Sequence, residues 1–116
     1  MNKKREKSRL MLLQTTTTKA NAEALVEVAL LSKLSACVQQ TDIQSHYFWN
    51  QPKQDSLEIC NENEILLSFK VFKRDFKALR RLILQHHSYE IPEIIGIKLY
   101  QVSQDYKKWC KEMRNA

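Results

Sequence analysis

Two adjacent histidines, His86 and His87, are the side chains of this sequence best suited to a transition metal, because imidazole is a good ligand for copper, zinc and nickel. Neighbouring positions on a helix point about 100° apart, so both serve one ion only where a helix ends. The alternative is that His86 caps the helix carbonyls and His87 makes a structural hydrogen bond. Cys37, flanked by Ala36 and Val38, reads either as a small buried hydrophobe or as a soft ligand for Cu(I). His87 and Cys37 are therefore the candidate metal residues. Cys60 lies in a polar stretch and Cys110 on an apolar helical stripe. Three cysteines without a CxxC suit neither a disulfide framework nor a structural zinc site, and they point to the cytosol. Glu90 and Glu93 have the residue types of a general acid and base. No nucleophile, oxyanion device or phosphate loop accompanies them, so a non-enzymatic protein is expected.

The elements that must position these residues follow from periodicity. Leu10 to Leu13 form a short continuous apolar run, as in a strand covered on both faces. Thr17 or Thr18 can cap a helix over 19–32, in which Ala22, Leu25, Val26, Ala29 and Leu30 make one apolar stripe. From 36 to 49 the period changes to two, with Ile43, Ser45, Tyr47 and Trp49 on one face. A second alternating run covers 64–72. The two runs read as arms of a long hairpin, with a turn at Asn50-Gln51-Pro52 and an irregular, polar tip from 50 to 63. Phe76, Leu79, Leu82, Ile83 and His86 predict a helix over 74–86, with Asp75 in its first turn where the helix dipole favours an acid. Ile91-Pro92 forces an extended segment. Ile95, Ile97 and Leu99 alternate as a strand with Gly96 opposite. Tyr106, Trp109, Cys110 and Met113 mark a closing helix, with Ser103 as its cap and Tyr106 and Trp109 as packing groups. The order βαββαβ plus a helix is the ferredoxin-like split arrangement, an α+β fold with both crossover helices on one sheet face. Tyr47, Trp49 and other large groups on the hairpin then call for a partner or self-association.

Composition agrees with one soluble domain. The 116 residues are 43% hydrophobic and 28% charged, enough for a core without staples. No apolar run approaches the roughly 18 residues of a membrane span, and Leu10–Leu13 is too short for a signal sequence. No membrane partner is expected. Of the net charge of +6, Lys3, Lys4, Arg5, Lys7 and Arg9 against Glu6 place +4 in residues 1–9. Such a tail can hold a polyanion, but it has no interleaved aromatic residue to stack on bases, so it reads as a frayed, solvated terminus and not as a nucleic-acid arm.

In this order of elements, Lys33-Leu34-Ser35-Ala36-Cys37-Val38, Ile43-x-Ser45-x-Tyr47-x-Trp49, Glu64 with Lys70, His87-Ser88-Tyr89-Glu90-Ile91-Pro92-Glu93-Ile94 and Tyr106-x-x-Trp109 resemble, in register, the motifs of the CutA divalent-cation-tolerance family over residues 10–113. The resemblance implies a homotrimer of ferredoxin-like subunits packed through long hairpins, tolerance to divalent metals, copper above all, and an architecture like the PII signalling proteins. It also implies an inter-subunit cleft in which Tyr47, Trp49, Lys70, Tyr89, Glu90 and Glu93 converge. That cleft suits either a bound ion or small ligand, or an ion pair of Lys70 with a glutamate that orients the trimer. The implied cofactor is copper or another divalent cation. The alternative function is a signalling or scaffold trimer that binds a small ligand or partner protein in the cleft. Three departures stand out. Gln14 replaces a cysteine proposed as a copper ligand, Ser88 replaces a proline, and the hairpin is longer and lacks its turn glycine.

Overall fold

A computed structural model describes Glu6, residues 8–50 and residues 57–116, Asn50 by its backbone alone. The strands are β1 (Leu10–Thr17), β2 (Ser35–Asn50), β3 (Leu57–Phe72) and β4 (Ile95–Lys98). The helices are α1 (Lys19–Leu31), α2 (Phe76–His86) and α3 (Gln104–Arg114), and a 3-10 turn at Lys73–Asp75 leads into α2. The sheet runs β2-β3-β1-β4, antiparallel throughout, as the split βαββαβ order requires. Alternation along the strands sends Leu13, Ile65, Leu67, Phe69 and Val71 against Ala22, Leu25 and Ala29 of α1 and Leu79 and Ile83 of α2. Leu10 and Phe72 point the other way and pack with Cys110 of α3. The strand at Leu10–Leu13 is therefore covered on both faces, as its unbroken apolar run predicts.

Three elements differ from the sequence reading. The first strand continues through Thr17, because β-branched threonines pair well and Thr15 and Thr17 find hydrogen bonds for their buried hydroxyls. The hairpin is regular much further out than expected. Its ladder runs from Glu64 to Asn50 opposite Leu57, because pairing satisfies the backbone whatever the polarity of the side chains. The turn expected at 50–52 falls on residues 51 and 52, outside the described residues, and Asn50 itself is strand. Asp75 makes no capping bond to α2; it is nearly buried and receives Arg114 Nε at 2.9 Å and Nη2 at 3.3 Å, which ties α3 to the start of α2.

The expected caps divide. Thr18 accepts from the Asn21 amide at 3.1 Å, whereas Ser103 sits at the start of α3 without a side-chain cap. At the other end of α1, Lys33 adopts φ 68°, the left-handed conformation that usually falls to glycine, and its amide reaches Leu30 O at 3.1 Å. Gly96 is tightly enclosed, since a Cβ there would lie 3.0 Å from the Phe76 ring and would push it by a few tenths of an ångström. Residues 1–5 and 7 of the basic tail lie outside the described residues. Its remaining part is anchored: Lys73 pairs with Glu6, and the Lys73 amide donates to Arg9 O at 2.9 Å.

Candidate functional site

The chain leaves α2 at His86 and crosses the open end of β1, and this crossing builds the site. Asn21, in the first turn of α1, fixes where it lands. Its Oδ1 accepts from Thr17 Oγ1 at 2.8 Å and from the Ser88 amide at 3.3 Å, while its Nδ2 donates to His86 O at 3.1 Å. The Ser88 amide bond is one that a proline could not make. Thr15 Oγ1 then donates to Glu93 O at 2.6 Å, which holds the far side of the crossing.

His87 sits between these clasps, and both its ring nitrogens are used. Nδ1 accepts from the Tyr89 amide at 3.1 Å, so the proton rides on Nε2, which faces Thr16 O at 3.0 Å and Thr15 Oγ1 at 3.1 Å. Burial holds its pKa below the ordinary value, with the Thr16 carbonyl and the Glu64 charge acting in the opposite direction. Within this chain no lone pair of His87 is left for a metal.

Fixed by His87, the Tyr89 hydroxyl donates to Glu64 Oε2 at 2.5 Å. Burial, followed by Glu64, raises the phenol's pKa. Glu64 is only 8% exposed and makes no ion pair among the described residues. It lines an open groove of about 480 Å³ with Lys19, Asp42, Gln44 and Asn63. Tyr47 stands on the same side; burial raises its pKa first, and Glu62 second. The site is thus two tyrosines and two glutamates at the root of the hairpin.

The other sequence-predicted residues are distributed around it. Trp49 lies two positions further out on β2 and is half-exposed. Glu90 and Glu93 are exposed, and only the Glu93 backbone takes part. Lys70 is six residues along β3 from Glu64, about 20 Å at strand rise, and donates to Gln39 Oε1. No Lys70–glutamate pair forms within one chain. Cys37 belongs to a different neighbourhood, with Tyr106 and Cys110 beneath α3, where Tyr106 stacks on Trp109 at 5.8 Å. Among the described residues no three His, Cys, Asp or Glu side chains come together as a metal site. Gln14 donates to Ser68 Oγ at 3.0 Å. Sequence alone places Glu64 in its strand without a role at the site, and no motif marks Asn21 or Thr15. A polar residue at the edge of an apolar strand run is the only local signal that Glu64 offers.

Comparison with known proteins matches residues 10–113 to the family "CutA1 divalent ion tolerance protein". A Yersinia pestis (strain Pestoides F) divalent-cation tolerance protein CutA is 33% identical over 101 residues, which are 86% of this chain and 80% of that one. A probable divalent-cation tolerance protein cutA homolog of Encephalitozoon cuniculi is 34% identical over 77 residues, 66% of this chain and 62% of the relative's length. The solved structure of CutA from Synechococcus elongatus PCC7942 superposes with a TM-score of 0.83 at 31% identity, covering 94% of this chain and 93% of the other.

Proposed function

This chain belongs to the CutA1 divalent ion tolerance protein family, and from that premise we propose that it serves divalent-cation tolerance, copper foremost, as a cytosolic homotrimer that holds the cation between subunits. The observation that carries this reading is Glu64, a nearly buried carboxylate that accepts from the Tyr89 hydroxyl and, although Lys19 lines the same groove, is in no ion pair among the described residues. A carboxylate taken out of water needs a positive partner, and the open groove beside it is where a neighbouring chain or a cation can supply one.

Among the described residues no single-chain group of donors forms a metal site, so in this reading the trimer completes it. Glu64 and Tyr47 would face the cation, with the exposed carboxylates of Glu90 and Glu93 as further candidate donors. His87 acts by positioning Tyr89 and becomes a ligand only if it gives up the Tyr89 amide. Cys37 is a soft donor for Cu(I) in a separate place. When bound, a divalent cation supplies the positive charge that this carboxylate lacks.

The test is calorimetric titration of metal-free trimer with Cu(II), alongside Glu64→Gln. Saturable binding that weakens at least tenfold in Glu64→Gln, with the trimer intact by light scattering, supports the reading. A trimer indifferent to copper overturns the metal part and favours a small ligand in the same cleft. A monomer overturns the cleft itself.

A further inference from the structure

The face of α1 and α2 away from the sheet has no role in the proposed site. The two helices run antiparallel, because Asn21 at the start of α1 meets His86 at the end of α2 and their apolar sides share one core. The end of α1 therefore lies beside the beginning of α2. Leu30 and the 73% exposed Leu31 lie at that end, and Leu84 is exposed on the same layer toward its opposite end.

Lys77, Arg80 and Arg81 are exposed on α2, along the stretch between those two ends. They recur at helical spacing on the exposed side of α2, and none is in an ion pair among the described residues. The sequence of α2 contains no acid at all. Lys33 and Arg74 add positive charge at the same end, and Glu23 and Glu27 on the exposed side of α1 act against it. The bias extends along the chain. Residues 42–64 hold five acids against Lys53, a net −4, while residues 65–86 hold six basic residues against Asp75, a net +5.

We propose that this helical face docks peripherally on an anionic lipid bilayer, with Leu30, Leu31 and Leu84 entering the headgroup boundary and Lys77, Arg80 and Arg81 contacting lipid phosphates and carboxylates. Exposed apolar side chains between cations on a helix surface are the chemistry of such contacts. Nucleic acid fits less well, because the exposed face offers no aromatic side chain for a base to stack on. The contact lies on the surface and needs no spanning segment; among the described residues no helix is long and apolar enough to cross a membrane.

The experiment is flotation of the full chain with vesicles of phosphatidylcholine alone, or of an equal mixture with phosphatidylserine. Binding is expected only to the mixture and should fall as salt is raised. The exposed triple substitution Lys77→Gln, Arg80→Gln, Arg81→Gln should lower partitioning roughly a hundredfold, at about fivefold per cation. Leu31→Ser should lower it about tenfold while leaving the charge unchanged. Equal binding to both vesicle types, no binding to either, or indifference to Leu31→Ser overturns the proposal. Preferential capture of RNA over the mixed vesicles does so too.

Discussion

At the residue scale, His87 is a hydrogen-bond relay whose protonation state is set by what surrounds it. Its Nδ1 must stay unprotonated to accept from the Tyr89 amide. Protonation would turn that acceptor into a donor facing another donor, and burial already disfavours the charged ring. The folded pKa lies below the unfolded value of about 6.5. The unfolded chain therefore binds more protons in that window. The stability contributed by neutral His87 is full above about 6.5 and is lost as pH falls from there through the folded pKa. We expect His87→Ala to cost about 2 kcal/mol at pH 7.5, from the two bonds it removes. That cost should shrink at pH 5, as followed by urea unfolding at fixed protein concentration. A cost that is the same at both pH values would show that His87 titrates alike in the folded and unfolded chain. This part of the site was hard to read from sequence. His87-Ser88-Tyr89-Glu90 was visible as a motif, but nothing local shows that Tyr89 reaches a carboxylate 25 positions earlier or that Asn21 receives the Ser88 amide.

At the element scale, the hydrophobic period carries most of the fold, and the exceptions are places where long-range bonding replaces local preference. Both crossover helices lie where the period of 3.6 places them, and each strand contains the run that predicts it, though β1 extends on to Thr17 and β3 begins at Leu57, well before the alternation at 64. Asp75 has the position of a dipole-favoured acid, yet it is taken by Arg114 from 39 residues away. Lys33 is the opposite case, a local strain that no long-range side-chain bond among the described residues compensates. It ends α1 in the left-handed region, and only its backbone amide makes a bond there. A non-glycine residue in that region pays roughly 1 kcal/mol for its Cβ. Lys33→Gly should therefore stabilise the protein by about 0.5–1 kcal/mol, despite the added freedom of the unfolded chain. Thermal unfolding at constant concentration checks it; a lower melting temperature would mean that the Lys33 side chain makes contacts worth more than the strain.

At the scale of the whole molecule, the hairpin decides how the protein exists in solution. The body is drawn out to 51 Å along one axis against 30 and 22 Å along the others. The outer arms of β2 and β3 carry Phe48, Trp49, Leu57 and Ile59 largely exposed on both faces. Phe48 and Ile59 are direct cross-strand partners. A two-stranded hairpin in water is marginal by itself, and each of these side chains gains about 2 kcal/mol when covered. Such an arm is ordered at little cost only if other copies of the chain cover it, which is the homotrimer proposed above. Two consequences can be measured together. The melting temperature of the natural chain should rise with protein concentration, because association stabilises only the folded form. The double substitution Phe48→Ser, Ile59→Ser should lower the melting temperature, shift light scattering toward smaller species on dilution, and expose the amides of residues 45–50 to rapid hydrogen exchange. The body around Leu13, Leu25 and Phe69 should keep its protection, since neither substitution touches that core. A concentration-independent melting temperature together with slow exchange in the arm would mean that one chain alone holds the hairpin, and the trimer would then have to be abandoned along with the site between subunits.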